Sequence, residues 1–224
     1  MTAATLHVLR VFTDASGRYG NPLGVFLDGP RFPLDARQRI AHDLGFSETV
    51  FVDNATTGQM QLYTPLAELP FAGHPLVGTA WLMHHLGQPA QSLNPPAGRV
   101  PVRHDGEIVW IAATPEWGPT WSHIHASSLA EVESANEAPD GHDHVQLWAF
   151  QDHDEQTVRA RTFAPRFGVR EDEACGSASM ILTRQLNRPL TIHHGQGSEI
   201  LTRPLSNGII ELGGRVVLDT SRKY

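Results

Sequence analysis

The hydrophobic and polar positions along the chain predict a series of strands with one long apolar helix in each half. Strict alternation of apolar and polar residues indicates a strand, whereas apolar residues three and four apart indicate a helix. In the first half these patterns predict strands over 6–12 and 21–28, a helix over 34–44, strands over 48–53 and 58–64, a helix over 74–86, and a hairpin over 100–103 and 108–113. Gly45 and Gly87 are expected to end the two helices.

In the second half of the chain, too, strands precede and follow one long helix. The patterns predict strands over 144–150 and 157–163, a helix over 175–186, and strands over 190–194, 199–204, 208–212 and 215–219. The segment 114–143 between the halves is rich in proline and polar residues, with one weak helical patch over 128–138. We interpret it as a connection. Because strands and helices do not alternate one by one, the order does not favour a doubly wound nucleotide-binding fold.

These elements predict an α+β protein of two pseudo-symmetric halves, each with a largely antiparallel sheet wrapped around a central helix. The boundaries are an N-terminal domain over 1–113, the connection over 114–143 and a C-terminal domain over 144–224. A short internal repeat supports this division. Ala72-Gly73-His74 opens the first long helix and Cys175-Gly176-Ser177 opens the second, and in both cases a glutamate precedes the glycine by five residues (73 − 68 and 176 − 171).

Composition and charge reduce the classes of function that the chain could have. The 224 residues are 40% hydrophobic and 18% charged, as in globular proteins, and the net charge is −7. We therefore expect no nucleic-acid partner, since phosphate binding requires a basic face. There is no signal-peptide pattern and no apolar run long enough to span a membrane, so a cytoplasmic protein without a membrane partner is expected.

No metal site is expected. The 13 histidines lack the HExxH spacing, and Cys175, the single cysteine, lacks a CxxC partner. The same cysteine count excludes a disulfide within the chain, which agrees with a reducing compartment.

The starts of the two long helices are candidate binding loops. A helix that begins behind a glycine exposes backbone N–H groups at the positive end of its dipole, which attracts a carboxylate or phosphate. Two such ends facing each other across a cleft would suit a small anionic substrate. His74 and Ser177 lie at these ends, and Asp172 precedes Ser177 by five residues. Taken singly, each has an ordinary explanation, such as an N-cap serine or a turn aspartate.

Glu48 is the candidate whose chemistry depends most on the fold. In a strand, Glu48, Val50 and Val52 share one face, while Phe51 lies on the other. If the first face is turned inward, burial raises the pKa of the carboxyl and allows proton exchange near neutral pH. If it is turned outward, Glu48 is a solvated charge at a strand end.

Four stretches together resemble the PhzF-like family of phenazine biosynthesis. They are VFTDASGRYGNPLGVFLD, GFSETVFV, ELPFAGHPLVGTA and RTFAPRFGVREDEACGSAS, and the resemblance extends from residue 8 to about residue 205. It implies a diaminopimelate-epimerase-like fold with the active site between two similar halves, and homodimers. It also implies an isomerase that moves a hydrogen on a small amino, hydroxy or cyclic acid without a cofactor.

The resemblance also implies roles for particular residues. The family's general acid/base falls on Glu48, and its other catalytic positions fall on His74, Asp172 and Ser177. Its substrate-facing loops fall on Gly73 and Gly176, with Cys175 beside them. In this sequence Glu173 stands where the family often has proline, and the chain is short between residues 114 and 143, which leaves the substrate open.

Two alternatives to a Glu48-dependent isomerase remain open. Related racemases use a cysteine before each glycine, but Ala72 occupies the first of these positions here, so a two-thiol mechanism is excluded. An epimerase or racemase could instead pair Glu48 with Cys175, although a buried, inert thiol is the simpler interpretation. The other alternative is a small-molecule-binding protein without catalysis.

Overall fold

The computed structural model describes residues 4–152 and 156–224, so residues 1–3 and 153–155 of the two predicted domains lie outside it. The first half contains β1 (Thr5–Thr13), β2 (Asn21–Phe26), α1 (Leu34–Leu44), β3 (Glu48–Asn54), β4 (Gln59–Tyr63), β5 (Glu68–Leu69), α2 (Gly73–His85), β6 (Ser92–Leu93), β7 (Val100–Asp105) and β8 (Ile108–Ala113). The second half contains β9 (Ser122–His125), α3 (Leu129–Ser134), β10 (Val145–Asp152), β11 (Thr157–Ala164), β12 (Val169–Asp172), α4 (Gly176–Leu186), β13 (Leu190–His194), β14 (Ser198–Pro204) and β15 (Ile210–Lys223). The long helices lie within a residue or so of their predicted bounds.

The strands form one hydrogen-bonded path that runs through both halves. Its order is β5-β4-β3-β2-β1-β15-β14-β13-β11-β10-β9, and the β7–β8 hairpin joins it through β15. Most neighbouring strands are antiparallel, while β2–β3, β9–β10 and β11–β13 are parallel. The predicted α+β class with largely antiparallel sheets is confirmed.

Each half wraps its part of the sheet around a central helix, as predicted. Helix α2 is apolar and buried on nearly all sides, which is typical of a helix enclosed by a sheet. Gly78 allows the closest approach to the strands, because a Cβ there would lie 2.5 Å from a methyl group of Leu23 and 2.7 Å from one of Val11. In both halves a strand, a short antiparallel partner and the central helix follow in order: β4-β5-α2 and β11-β12-α4. This repetition gives the pseudo-symmetry.

The last two predicted strands are in fact one. Residues 208–212 and 215–219 were predicted to be separate strands, but β15 continues through Gly213 and Gly214 between them. A Cβ on Gly213 would lie 2.5 Å from the indole of Trp110, and one on Gly214 would overlap the ring of Phe12. The two glycines therefore make room for aromatic side chains from neighbouring strands and do not form a turn.

Strand β15 links the halves. Its first residues pair with β14 and β8, and the rest pair with β1.

The segment 114–143 is also structured: it contains a 3-10 turn over Pro115–Trp117, the edge strand β9 and the short helix α3. The predicted domain boundaries stay a prediction. None of the helices in the described ranges is both long enough and apolar enough to cross a membrane.

Candidate active site

The first turns of α2 and α4 meet at the centre of the molecule. A Cβ on Gly73 would overlap Leu212 and lie 3.4 Å from the Cα of Gly176, and one on Gly176 would lie 2.8 Å from the same leucine. Any larger residue would push the helix starts apart. No side chain caps either helix, so the first-turn N–H groups are available to a ligand. Two positive dipole ends therefore converge, as the sequence predicted.

Glu48 begins β3 on the inward face of the sheet. Val50 and Val52, on the same face, lie in the main hydrophobic cluster with α2, which answers the question that the sequence left open. The Glu48 side chain is 15% exposed. Burial, with a further contribution from the charge of Asp172, raises the pKa of Glu48 to about 8. The carboxyl is therefore mostly protonated at neutral pH.

His74, on the first turn of α2, lies directly against this carboxyl. Its Nε2 is 3.2 Å from Oε2 of Glu48, but the angle does not make a hydrogen bond, and both atoms lack a partner among the described residues. Burial lowers the pKa of His74 to about 3, so the ring is neutral. The backbone of Pro22 opposes this effect of burial on the pKa.

Asp172 supplies a second carboxyl at the same place, at the end of β12. The side-chain amide of Asn21 donates to its Oδ1 at 2.7 Å, and the N–H of Ala174 donates at 3.2 Å. Burial raises the pKa of Asp172 above its ordinary value, although these donors oppose the effect. Two buried carboxyl groups that share one site resist double ionisation, which favours a retained proton.

Ser177 and Cys175 flank the start of α4. The Ser177 hydroxyl accepts a hydrogen bond from the indole N–H of Trp121 at 2.9 Å, and its Oγ lies 3.6 Å from the Cys175 sulfur. Burial, followed by the charge of Asp172, raises the pKa of the Cys175 thiol well above its ordinary value. The thiol is therefore a poor source of thiolate.

All seven predicted site residues line one cavity of about 100 Å³ between the halves. The full lining is Ser47, Glu48, Thr64, Leu69, Phe71, Ala72, Gly73, His74, Pro119, Trp121, Ala164, Val169, Asp172, Cys175, Gly176 and Ser177. The titratable groups lie against the helix starts, and the other walls are largely apolar. Whether the seven residues act as predicted stays a prediction.

Sequence reasoning missed three contributors to this site. Trp121 and Pro119 belong to the segment interpreted as a connection, and no periodic pattern placed them near a helix start. Asn21 holds Asp172 from the other half of the molecule. The one signal in the sequence was that Asn21 precedes Pro22 at the start of β2, because a residue before proline is restricted to extended conformations.

The fold and the paired helix starts define the structural class: an epimerase-like fold of two similar halves. A hydroxyproline epimerase from Agrobacterium vitis shares the fold with a TM-score of 0.63 at 13% identity, over 98% of this chain and 91% of the other. A PhzF-family structure from Enterococcus faecalis has a TM-score of 0.80 at 21% identity, over 100% of this chain and 99% of the other.

The sequence comparisons identify the family. The model of the phenazine biosynthesis-like proteins matches residues 9–147 and 124–203. The trans-2,3-dihydro-3-hydroxyanthranilate isomerase of Pseudomonas aeruginosa is 32% identical over 222 residues, which is 81% of this chain and 80% of the relative. The enzyme of that name from Pseudomonas chlororaphis is 31% identical over the same shares of both chains. The chain belongs to this family, as the resemblance in its motifs implied.

Proposed function

We propose that this protein is a cofactor-independent isomerase that shifts a proton on a small carboxylate-bearing substrate, with Glu48 as the general acid/base. One observation carries the proposal. A carboxyl group whose pKa burial raises to about 8 lines the same cavity as the paired helix starts. A group whose pKa lies near the working pH is suited both to take a proton and to return it.

The helix starts would hold the carboxylate of the substrate. No lysine or arginine belongs to the described lining of the cavity, so a positive side chain is not the attraction there. The N–H groups of Gly73, His74, Gly176 and Ser177 supply donors at the positive ends of two dipoles. The same donors would stabilise the enolate-like charge that develops when a neighbouring carbon loses a proton.

Glu48 would perform the proton transfer in its ionised form, which is a minority species at neutral pH. The carboxylate removes a proton from one carbon, and the resulting carboxylic acid delivers it to another carbon of the same conjugated system. His74 stays neutral, so it adds no positive charge that would hold Glu48 permanently ionised, and the charge of Asp172 favours the protonated form of Glu48. Bound in this way, the substrate reacts without a metal or an organic cofactor.

An epimerase that pairs Glu48 with Cys175 is the weaker hypothesis. It requires the thiol to act as a base or an acid in each direction, whereas burial raises the thiol pKa. The names of the Pseudomonas relatives also favour an isomerisation. We expect Cys175→Ala to keep most of the activity, and loss of hydrogen exchange in that variant would favour the epimerase.

The proposal is tested by hydrogen exchange in heavy water. Small amino, hydroxy and cyclic acids are incubated with the protein, and the uptake of deuterium is read by NMR. We expect Glu48→Gln to abolish exchange on any acid that the natural chain turns over, and to leave binding of that acid within a few-fold of the original.

Glu68→Gln is the matched control, because Glu68 is exposed and lies outside the cavity. It should keep full activity. Full exchange by Glu48→Gln would refute the role of Glu48. Binding without exchange by the natural chain across the whole panel would favour the non-catalytic binding protein. The expected homodimer and cytoplasmic location stay predictions.

A further inference from the structure

Residues 114–121, here called the strap, cross the starts of both central helices. At Gly118 a Cβ would lie 3.0 Å from the Cβ of Ser177 and 3.8 Å from the ring of Phe71. The strap is tied to α4 by an ion pair between Glu116 and Arg184. These contacts hold the strap against the helix starts. The segment between β8 and β9 therefore forms part of the site and does not only connect the two halves.

The last residue of the strap, Trp121, touches the site in two ways. Its indole N–H donates to the hydroxyl oxygen of Ser177 at 2.9 Å. Its side chain also lines the cavity, alongside Phe71 and Pro119. The indole is thus part of the apolar wall that faces the titratable groups.

The hydrogen bond has a chemical consequence for Ser177. A serine hydroxyl has one hydrogen and two lone pairs, so when its oxygen accepts from an indole the hydrogen is free to point elsewhere. Apart from the indole, Oγ forms a hydrogen bond at 3.6 Å with the Cys175 sulfur, which is a weak acceptor. Ser177 is 8% exposed and lines the cavity, so an anionic ligand, which is a stronger acceptor than the sulfur, can take this hydrogen.

The apolar wall of the cavity limits the size of the ligand. The cavity measures about 100 Å³, which is small beside the roughly 300–1,000 Å³ of typical ligand pockets. Its other end is closed by the helix starts, whose glycines are packed against Leu212 and against each other. Growth of a ligand away from the helix starts brings it against the apolar wall, in which the indole is the largest side chain.

We propose that Trp121 limits the ligand to a carboxylate with a single small ring, and that its indole N–H positions the Ser177 hydroxyl toward that carboxylate. The inference rests on the proposed function for the carboxylate-binding role of the cavity. Trp121 acts on the ligand as a wall, and through Ser177 as a positioning residue.

Binding of two aromatic acids tests the size limit. Benzoate and 2-naphthoate carry the same carboxylate and differ by one ring, and their dissociation constants are measured by titration calorimetry. We expect the natural chain to bind benzoate at least tenfold more tightly than 2-naphthoate. In Trp121→Ala this preference should fall at least tenfold, because the second ring occupies the space of the lost indole.

Trp81→Ala removes an indole outside the cavity and is the control, so its preference should equal that of the natural chain. Trp121→Leu serves as a second variant if the alanine variant does not fold. An unchanged preference in folded variants of Trp121 overturns the size limit. Failure of the natural chain to bind benzoate overturns it too.

A double-mutant cycle tests the hydrogen bond separately. Trp121→Phe keeps a ring but loses the donor, and we expect it to weaken benzoate binding about fivefold, the worth of one hydrogen bond of about 1 kcal/mol. In a Ser177→Ala background the same substitution should change the affinity less than twofold. Equal losses in both backgrounds would overturn the positioning role.

These measurements do not depend on turnover. If hydrogen exchange is absent from the natural chain but the benzoate results hold, the proposed isomerase fails while the inference about Trp121 stands. If exchange is present and Glu48-dependent but the preference between the two acids does not respond to Trp121, only the inference fails.

Discussion

At the scale of single residues, Glu48 and His74 show how burial can prepare acid–base chemistry. Each loses solvation in the core, which pushes the carboxyl pKa up to about 8 and the imidazole pKa down to about 3. Both groups are therefore neutral in the resting site at pH 7. The pair avoids the cost of a buried charge until a substrate arrives.

The raised pKa of Glu48 predicts the pH dependence of catalysis. Because proton abstraction requires the ionised carboxylate, kcat/KM should rise with pH and level off above about pH 8, reporting a group of the free enzyme. The measurement is a pH–rate profile for an acid found by the exchange screen. A profile already flat above about pH 6 would contradict a raised pKa.

The raised pKa of Glu48 also predicts that the folded chain loses stability as the pH rises. Above the ordinary carboxyl pKa of 4.5 the unfolded chain releases the Glu48 proton, whereas the folded chain keeps it up to about pH 8. Stability therefore falls as the pH rises through this window. Since one pH unit of such linkage is worth about 1.4 kcal/mol, the natural chain should lose roughly 2 kcal/mol relative to Glu48→Gln between about pH 6.5 and about pH 8.5.

Urea unfolding of both proteins at the two pH values measures this difference. The buried histidines His74 and His194, whose pKa is lowered by burial, also make stability depend on pH, but they do so in both proteins and cancel in the difference. Glu68→Gln again provides the exposed comparison. Parallel stability curves for the natural chain and Glu48→Gln would show that the carboxyl ionises normally.

At the scale of elements, the two helix starts depend on their glycines for contact. We expect Gly73→Ala and Gly176→Ala each to destabilise the fold by about 1–3 kcal/mol, the usual cost of overpacking, despite the better helix propensity of alanine. Chemical denaturation gives this value. Leu212→Ala in the same chain should recover part of the loss, because the clash at both positions is with Leu212.

Additive destabilisation of Gly73→Ala and Leu212→Ala would show that the two side chains do not compete for one space. Loss of ligand binding in Gly73→Ala without any loss of stability would place the effect on the exposed N–H groups alone.

The elements also show how far the sequence could lead. Periodicity and helix-ending residues located the long helices, and the repeat around Gly73 and Gly176 predicted that their starts are equivalent. The continuity of β15 was not predictable in this way, because Gly213 and Gly214 resemble a turn until the rings of Trp110 and Phe12 are placed beside them. Local patterns carry no information about such contacts.

The candidate site was likewise only partly predictable from local patterns in the sequence. Motif residues such as Glu48 and His74 were identified from the sequence, with roles implied by the resemblance. Trp121 was not, because its importance depends on the strap crossing α4, a contact between residues 56 positions apart. Whether Glu48 faced inward also required the sheet, since alternation alone gives two faces without saying which one is covered.

At the scale of the whole molecule, the halves share a strand and a core. Strand β15 pairs with β8 and β14 at one end and with β1 at the other. Side chains of both halves, including Leu76 of α2 and Met180 of α4, belong to one hydrophobic cluster. The cavity between the halves is therefore fixed by a shared framework, which suits a site that needs both helix starts in register.

This framework predicts that the chain unfolds as one unit. Gly214→Val places a branched side chain against Phe12 within the shared strand, and it should lower the melting temperature of a single calorimetric transition. Equality of the calorimetric and van't Hoff enthalpies checks the cooperativity. Two resolved transitions, with only one of them shifted, would show that the halves are independent.

The central claim is that Glu48 is a buried carboxyl that keeps its proton at neutral pH and can release it to act on a substrate. A carbon-13 NMR titration of the glutamate side-chain carboxyls, with Glu48→Gln to assign the signal, measures this directly. The account predicts one carboxyl that titrates near pH 8 and is missing from the variant. A Glu48 signal that titrates near pH 4.5, like an exposed glutamate, would contradict it.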